Sequence, residues 1–382
     1  MDFTLTQEQE LLRASVREFA ESEIAPHRRR LDETKEFPHE IFRKMGEMGY
    51  LGVTVPERYD GAGMSFRDYV LIIEEISRVD PAVGLGVAAH NGLCVGHLTR
   101  FGSEEIKQQY LRPLARGDYL GAWSLTEPTA GSDAGGTRSR AARDGDAWVL
   151  NGAKTFATHG SVGRVCVVFC VTDAAKGKKG ISAFLLEKGM EGFRHGKVED
   201  KMGMRASDTA EVIMDNCRVP AGHLLGQEGM GFVNALEILD RGRVAIAALS
   251  LGTAQGAFEV AREYAKQRKQ FDRPIAGFQA VAFMLADMAT RIEASRLLTY
   301  RAAGIVDGGS ERVTRHAAMA KLFASETAVW VADHAVQILG GYGYIKDFPA
   351  EKYYRDAKLC TIGEGTSEIQ RLVIARSLLD GS

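Results

Sequence analysis

The spacing of hydrophobic residues changes twice along this 382-residue chain, and that change limits the architectures it can adopt. Up to about Gly117, and again from about Gly229, apolar residues recur at the i, i+3, i+4 spacing of amphipathic helices. Between these regions they form short runs rich in β-branched residues, which is typical of strands. The pattern therefore predicts an α+β chain with a β-domain between two helical domains.

Residues 1–118 are predicted to form an N-terminal α-helical domain. Thr6 and Gln9 have the spacing of a capping box at the start of a helix. The residues expected to form the buried face of that helix are Leu11, Leu12, Ser15, Val16 and Phe19. Turn-forming residues at 59–63 and at Asp80-Pro81 separate it from further helices.

Residues 119–226 are predicted to form a middle β-domain. Its apolar, β-branched runs are found at 148–150, 165–171 and 181–186. Asp144-Gly145 and Asn151-Gly152 are interpreted as turns that separate strands. A small barrel and a sandwich both fit this pattern, and the periodicity does not distinguish them.

Residues 227–382 are predicted to form a C-terminal four-helix bundle, because four groups of apolar residues at helical spacing follow one another. The groups are Phe232, Ala235, Leu236 and Leu239; Val281, Leu285, Met288 and Ile292; Ala317, Ala320, Ala324 and Val331; and Ile369, Leu372 and Val373. Short turns such as 307–309 join some of these helices.

The charge balance excludes several classes of partner. Lys and Arg number 48 against 50 Asp and Glu, so no strong field attracts nucleic acid or anionic lipid. The longest apolar run, Val165–Val171, is far shorter than the roughly 18 residues of a membrane span, and no membrane insertion is expected. Five widely spaced cysteines, an acidic start and an end at Asp380-Gly381-Ser382 without a targeting signal predict a cytoplasmic location.

Several common catalytic motifs are absent from the sequence. It has no Walker A sequence, no His-Glu-x-x-His and no Cys-x-x-Cys, so no P-loop and no metal site is predicted. The glycines at 340–343 follow a helical pattern, whereas the glycine-rich motif of a Rossmann fold follows a strand, so the sequence argues against that fold. Residues 92–96 imitate a nucleophile elbow around Cys94, but their helical flanks argue against a catalytic thiol.

Three segments hold rarer combinations of residues. Residues 123–133 carry hydroxyl, small and aromatic side chains suited to a polar planar ligand, although an interdomain loop is the simpler interpretation. Residues 337–343 end a helix with glycines that allow close approach of a ligand, or that serve only as a C-cap. Residues 363–369 place Glu364 between two glycines before a helix, where a capping acid is the alternative to a catalytic one.

Taken together and in order, these segments make the chain resemble the acyl-CoA dehydrogenase family over essentially its full length. The matching motifs are Leu-Thr-Glu-Pro-x-Ala-Gly-Ser-Asp at 125–133, Asn-Gly-x-Lys at 151–154, Asp-Lys-Met-Gly-x-Arg-x-Ser at 200–207, Arg-x-x-Phe at 268–271, Gln-Ile-Leu-Gly-Gly-Tyr-Gly at 337–343, Arg-Asp-Ala-Lys at 355–358 and Gly-Glu-Gly-Thr-Ser-Glu-Ile-Gln-Arg at 363–371. The family's fold is a helical domain, a β-domain and a four-helix bundle, as the periodicity predicts independently.

The resemblance implies FAD-dependent α,β-dehydrogenation of short-to-medium acyl-CoA thioesters to 2-enoyl-CoA, a step of fatty acid β-oxidation. Glu364 matches the family's base, which removes the α-proton while the β-hydrogen leaves as hydride to flavin N5. The backbone N–H of Glu364 and a flavin ribityl hydroxyl would hold the thioester oxygen. An electron-transfer flavoprotein would then reoxidise the flavin.

The resemblance also implies the binding residues and a homo-oligomer. Those expected around the flavin are Trp123, Leu125, Thr126, Ser132, Phe156 and Thr158. Those expected at the adenine-dinucleotide part of FAD in a neighbouring subunit are Arg268, Phe271, Gln279, Gln337 and Gly341, with Thr366 and Glu368 beside the phosphates and ribose. Those expected to bind acyl-CoA are Ser132, Asp240, Arg243 and Gly365. A shared FAD site requires at least a dimer, and a dimer of dimers, a homotetramer, is the commoner family assembly.

Four positions depart from the family pattern. Gly242 stands where some relatives, of the isovaleryl type, carry the base, so Glu364 has no rival. Gly363 replaces a frequent tyrosine and removes bulk from one wall of the acyl site. Phe156 replaces a usual tryptophan but keeps aromatic packing. Glu368 replaces a frequent glutamine, and an acid beside a phosphate is unfavourable unless it caps the helix.

Two rival functions are weighed against this one. A flavin oxidase or nitroalkane-type relative on the same fold carries aspartate at the base, whereas this chain has Glu364. A non-catalytic scaffold or nucleic-acid-binding relative lacks the base or carries a basic patch. The stretch between Arg78 and Arg100 has no arginine to pair with a dicarboxylyl group, which favours a monocarboxylic acyl chain.

Overall fold

A computed structural model describes residues 4–309 and 313–379. The terminal residues considered above, including Asp380-Gly381-Ser382, lie outside the described residues. Helices come first, a sheet follows and helices return, so the predicted α+β architecture is confirmed. The domain limits at 118/119 and 226/227 stay predictions.

The N-terminal part is helical. Its helices are α1 (Gln7–Phe19), α2 (Arg28–Thr34), α3 (His39–Glu47), α4 (Phe66–Val79), α5 (Pro81–Ala89), α6 (Gly96–Phe101), α7 (Glu104–Ile106) and α8 (Arg112–Ala115), with π-helical turns at Ala20–Ile24, His90–Val95 and Lys107–Leu111. Residues 90–95 are thus helical on both sides, which confirms that Cys94 does not stand on a nucleophile elbow. Its thiol is buried, and burial raises the pKa of Cys94 well above its ordinary value.

Helix α1 begins as predicted but buries a narrower face. Thr6 accepts a hydrogen bond from the Gln9 N–H and the Gln9 side chain accepts one from the Thr6 N–H, which confirms the capping box. Val16 and Phe19 are buried against α4, whereas Leu11 is 66% exposed. The prediction for Leu11 is wrong, because α1 packs on one neighbour and Leu11 lies beside the contacting stripe.

The middle part is one connected sheet. Its strands are β1 (Gly121–Ser124), β2 (Arg140–Asp144), β3 (Ala147–Thr158), β4 (Val165–Val171), β5 (Ile181–Glu187), β6 (Phe193–Val198), β7 (Thr209–Pro220) and β8 (Leu224–Leu225). They pair in the order β6-β7-β3-β2-β4-β5-β8, and β1 pairs with β4 in parallel. In β4, Val167 and Phe169 pack toward the helices while Val168 and Cys170 pack inside the β-domain, so both faces are buried.

The two predicted turns beside β3 have different outcomes. Asp144-Gly145 joins β2 to β3 as a tight hairpin, as predicted. Asn151-Gly152 is not a turn, because β3 continues through it with a register shift between Leu150 and Gly152. A β-carbon on Gly152 would lie 2.4 Å from the Ser139 Oγ, so glycine allows a bulge and a close approach there.

The C-terminal part is again helical. Its helices are α9 (Gly231–Gln267), α10 (Gln279–Asp307), α11 (Val313–Leu339), α12 (Ala350–Cys360) and α13 (Ser367–Leu379), with a two-stranded hairpin of β9 (Lys269–Gln270) and β10 (Arg273–Pro274). Ala350, Tyr353 and Ala357 of α12 join the bundle core, although the sequence pattern did not predict this helix. Leu372 of α13, predicted to be buried, is 50% exposed, because α13 lies outside that core on α11.

Helix α9 is long and apolar enough, by length and composition, to cross a membrane. However, 78% of its apolar 18-residue window is buried inside the protein, as expected for the central helix of a bundle. Its contacts reach α4, α5, α10, α11 and α12.

Helix α12 also fixes the three parts of the chain against one another. The buried Lys352 ammonium lies 3.0 Å from Asp80 and 2.6 Å from Asp356. Asp356 also accepts a hydrogen bond of 2.5 Å from the Met204 N–H of the middle part. Arg355 pairs with Asp32 at 2.7 Å. These ion pairs hold in place the loop that follows α12.

Candidate active site

Glu364 lies in that loop, between α12 and α13, on a strained backbone. Its φ of 52° and the 96° of Gly365 are both left-handed. A left-handed conformation costs about 1 to 3 kcal/mol at a residue with a β-carbon and persists only where neighbours enforce it. Here the Gln370 amide donates to the carbonyls of Glu364 (3.2 Å) and Gly365 (3.0 Å), and the Lys321 ammonium donates to Gly365 (2.7 Å).

The carboxylate of Glu364 is free to react. Its Oε2 is buried and has no hydrogen-bond partner in the described part of the chain. Burial raises the pKa of Glu364 to about 7, although the positive charges of Lys321 and Arg243 oppose that rise. A carboxyl that titrates near neutral pH inside a protein is typical of a proton-transferring group.

Gly242 of α9 leaves the space for this carboxylate. A β-carbon at Gly242 would lie 2.0 Å from the Glu364 Oε2 and 3.1 Å from the Leu93 Cδ2. Gly242 carries no group of its own that could accept a proton, so at this contact the acid is Glu364.

The capping role considered for residues 363–369 belongs to other side chains. The Thr366 hydroxyl accepts the Ile369 N–H at 3.4 Å and caps α13. Glu368 is exposed in the first turn of α13, where its own backbone N–H and the Thr366 hydroxyl lower its pKa. The cap is therefore Thr366, with the acid of Glu368 beside it in the first turn, and it is not Glu364.

Four of the residues expected around a flavin are brought together on and beside β3. The Thr155 N–H donates to the Thr126 carbonyl at 2.9 Å, which holds the segment with Leu125 and Thr126 against the strand that carries Phe156 and Thr158. Phe156 has a left-handed φ of 59°, and the residue is 65% exposed. An aromatic ring turned out of a strand in this way is available to a ligand.

The other two residues expected around a flavin lie differently. Ser132 is exposed on the loop after Thr126. Trp123 is buried, its indole N–H donates to the His97 Nδ1 at 3.4 Å, and its ring packs on Phe169. Because its N–H is engaged in the core, Trp123 could meet a ligand only through its ring.

A buried ion pair supports this region. The Lys154 ammonium lies 2.7 Å from the Glu127 carboxylate, and both side chains are buried. Burial alone would raise the pKa of Glu127, but Lys154, Thr137 and Ser139 lower it to about 2. Glu127 and Lys154 belong to two of the motifs quoted above, yet their spacing in sequence gave no sign of the pairing.

Two of the residues expected at the adenine-dinucleotide part line a common cavity. Arg268 and Gly341 bound a cavity of about 530 Å³ together with Tyr264, Leu339 and Tyr342. Apart from the adjoining residues, no atom of the described residues lies within 4 Å of a β-carbon placed at Gly341. The remaining three residues do not line it and are exposed: Phe271 (87% exposed), Gln279 and Gln337.

Asp240 and Arg243, both expected to bind acyl-CoA, form an ion pair on α9. The Arg243 guanidinium lies 2.6 Å from the Asp240 carboxylate, one turn away. The Arg243 side chain is buried and its Nε has no partner in the described residues. Its influence on the pKa of Glu364 places its charge near the candidate base.

Sequence reasoning did not identify two buried polar residues that hold the Glu364 loop. Lys321 stands in the buried stripe of Ala317, Ala320 and Ala324 on α11, and a lysine at such a position was a usable signal. Gln370 lies within a quoted motif, but nothing in the sequence indicated that its amide turns back to the loop.

Models of one family match almost the whole chain. "Acyl-CoA dehydrogenase, N-terminal domain" matches residues 6–118, the "middle domain" matches 122–217 and the "C-terminal domain" matches 229–379. The short-chain specific acyl-CoA dehydrogenase of Clostridium acetobutylicum is 49% identical over 375 residues, which cover 98% of this chain and 99% of that protein.

Solved structures agree with this match. Butyryl-CoA dehydrogenase from Megasphaera elsdenii is 41% identical, covers 99% of this chain and 100% of its own, and has a TM-score of 0.97. A chain from the structure described as the electron transferring flavoprotein of Acidaminococcus fermentans is 48% identical, with a TM-score of 0.98 and coverage of 99% and 100%. The fold, the site and these relatives together establish that the chain belongs to the acyl-CoA dehydrogenase family, a family of oxidoreductases.

Proposed function

We propose that this protein converts short-to-medium acyl-CoA thioesters to 2-enoyl-CoA, with FAD as cofactor and Glu364 as the base that removes the α-proton. The observation that carries the proposal is the buried Glu364 Oε2, which accepts no hydrogen bond in the described part of the chain. A carboxylate with the ordinary pKa of ~4.3 is a weak base at neutral pH. The pKa of about 7 makes Glu364 a stronger one, and its free lone pairs can meet a substrate C–H.

The residues present fit FAD. The exposed Phe156 ring, the Thr126 segment held beside it and the open backbone of Gly341 at the cavity are surfaces on which a flat ligand with a long polar tail can lie. FAD, when bound, accepts the hydride that leaves the β-carbon. The backbone N–H of Glu364 would donate to the thioester oxygen, where negative charge develops as the α-proton leaves.

The surroundings favour a short, uncharged acyl chain. Helix α5 consists of small or apolar residues and is wholly buried. The nearby Arg78 is engaged with Glu21, Glu75 and Glu259, so it offers no free charge to a second carboxylate of a substrate. The similar proteins described as short-chain specific and butyryl-CoA dehydrogenases support this choice.

The partners follow from the same proposal. We expect an electron-transfer flavoprotein to reoxidise the enzyme, in keeping with the description of the similar Acidaminococcus fermentans structure. Arg268, Phe271 and Gln337 are exposed, and we expect them to contact the FAD of a neighbouring subunit. We therefore expect a homo-oligomer, in the form of a dimer of dimers.

The first test is a visible spectrum of the purified protein, followed by anaerobic addition of butyryl-, octanoyl- and isovaleryl-CoA. A flavin spectrum that bleaches with butyryl-CoA supports the proposal, and a colourless or unresponsive protein contradicts it. Reoxidation of the bleached protein by air, with formation of hydrogen peroxide at a turnover rate, would instead indicate the oxidase alternative.

The second test concerns the base. Glu364→Gln should keep the yellow flavin and the binding of acyl-CoA but lose bleaching by at least about a thousandfold. Glu191→Gln, which alters an exposed carboxylate of the middle part, is the matched control and should bleach normally. Normal bleaching by Glu364→Gln removes Glu364 from the role of base.

A further inference from the structure

Lys321 is a buried lysine at the back of the Glu364 loop. It lies on α11 with 0% of its surface exposed. Its ammonium donates a hydrogen bond of 2.7 Å to the carbonyl of Gly365, the residue after the candidate base. The Lys321 side chain therefore reaches the strained turn directly from the bundle.

The bonding of Lys321 differs from that of the other two buried lysines described above. Lys154 lies 2.7 Å from Glu127, and Lys352 lies between Asp80 and Asp356. Lys321 bonds to a neutral carbonyl and belongs to no ion pair in the described part of the chain. Burial lowers the pKa of Lys321 to about 8, which reflects the cost of holding this charge away from water.

The titratable groups that act electrostatically on Glu364 come from three elements. Tyr69 of α4 is a neutral phenol, Arg243 comes from α9 and Lys321 from α11. The charge of Arg243 is already balanced by Asp240 at 2.6 Å. The charge of Lys321 has no such partner, although the Glu364 and Glu326 carboxylates and the buried Cys360 thiol favour it electrostatically.

We infer that Lys321 is a positioning residue of the active site: it fixes the Glu364–Gly365 turn through the Gly365 carbonyl and supplies the unbalanced positive charge that favours the ionised form of Glu364. This inference rests on the proposed function, because it concerns Glu364 as the base. Gln370 also holds the Glu364–Gly365 turn, since its amide donates to the same Gly365 carbonyl, but it carries no charge. Mutation can therefore separate the hydrogen bond that holds the turn from the charge that acts on Glu364.

The experiment compares Lys321→Met, Lys321→Gln and Gln370→Met with the unchanged protein. The rate of anaerobic flavin bleaching by butyryl-CoA is measured from pH 5.5 to 9.5. The bleaching rate should rise with pH as Glu364 ionises, and this rising part of the pH–rate profile is its acid limb. Removing the Lys321 charge should raise the midpoint of the acid limb by about one pH unit in both Lys321 variants, so that the rate at pH 6 falls about tenfold. Gln370→Met loses a hydrogen bond but keeps the charge, so its midpoint should stay in place even if its rate falls.

Hydrogen–deuterium exchange of the 361–370 segment provides a readout that does not depend on turnover. Exchange should become faster in Lys321→Met and in Gln370→Met, because each loses one of the bonds that hold the turn. Lys321→Gln is included in case Lys321→Met does not fold, because the glutamine amide can still donate to the Gly365 carbonyl.

An acid limb that is unshifted in folded Lys321 variants, or shifted equally in Gln370→Met, overturns the electrostatic role. Unchanged exchange of the 361–370 segment in Lys321→Met overturns the positioning role. Failure of the proposed function looks different: Glu364→Gln would then bleach normally, or the unchanged protein would show no acid limb at all.

Discussion

A β-carbon placed on Gly242 would lie 2.0 Å from the Oε2 of Glu364, although the two residues are more than one hundred positions apart. The carboxylate thus rests directly against the backbone of α9. Any side chain at Gly242 must push it aside, because no real β-carbon approaches an oxygen so closely.

Gly242→Ala should therefore impair the reaction more than the fold. The colliding atom is the end of a flexible side chain, so Glu364 can turn away while α9 keeps its course. We expect bleaching by butyryl-CoA to slow by about a hundredfold, since a displacement of about 1 Å can cost that much. Thermal unfolding should change little, because alanine favours a helix. A normal bleaching rate would contradict the contact. Gly222→Ala is the control, because apart from the adjoining residues no described atom lies within 4 Å of the added carbon.

Lys154→Met should strongly destabilise the middle part of the protein. The change leaves the Glu127 carboxylate buried without its cation, and breaking a buried ion pair costs about 3 to 5 kcal/mol. The free energy of unfolding in urea measures the loss. The double variant Lys154→Met/Glu127→Leu should recover part of the loss, because it also removes the stranded charge. A single variant as stable as the unchanged protein would show that the pair contributes nothing to stability. Arg43→Ala, at an exposed pair on α3, should have little effect.

The protein should lose stability as the pH falls from about 6.5 toward 4. Burial lowers the pKa of His90 and of His97 to about 3 and that of His159 to about 4. The unfolded chain, with histidines near ~6.5, binds more protons in this window, so protonation favours unfolding. Each histidine contributes on the order of 2 kcal/mol between pH 7 and 5.

Glu364 acts with the opposite sign in the same range. Because the pKa of Glu364 is raised to about 7, the folded protein binds its proton first, and this group gains stability as the pH falls from 7 to about 4.5. Burial also raises the pKa values of Glu74, Asp240 and Asp356, which act with the same sign as Glu364. We expect the three histidines to outweigh these carboxyls, so that the net change is a loss. Urea unfolding at pH 7 and 5 measures it, and His159→Gln should reduce the difference whereas the exposed His195→Gln should not. Equal stability at both pH values would contradict the buried neutral histidines.

Arg268→Ala should lower the amount of FAD bound per chain without unfolding the protein. Arg268 is exposed at the edge of the 530 Å³ cavity, so the fold does not depend on it. We expect at least a severalfold loss of flavin, read from the ratio of visible to ultraviolet absorbance, and a weaker oligomer by sedimentation. Arg262→Ala, six residues earlier on α9, controls for loss of surface charge. Full retention of FAD with an unchanged oligomer would remove the argument for a shared site.

The order of the three parts of the chain could be predicted from sequence because it depends on local patterns. Amphipathic spacing, β-branched runs, the Thr6–Gln9 capping box and the Asp144-Gly145 hairpin each depend on residues close together in the chain. The family resemblance likewise rests on short motifs. Predictions from local patterns were wrong or missing where residues distant in sequence determine the structure. Examples are the exposure of Leu11, the bulge at Gly152 beside Ser139, and α12, which α9 and α11 hold in the core.

In the candidate site, too, the sequence determined part of the answer and the tertiary structure the rest, within one segment. The sequence alone identified residues 363–369 and contained two acids, Glu364 and Glu368, either of which could have capped the helix. Only the tertiary structure distinguished their surroundings. Glu368 faces solvent in the first turn of α13, beside the capping Thr366, whereas Glu364 is turned against Gly242 and held near Lys321, both far away in sequence. A pKa depends on burial and nearby charge, and long-range packing determines both.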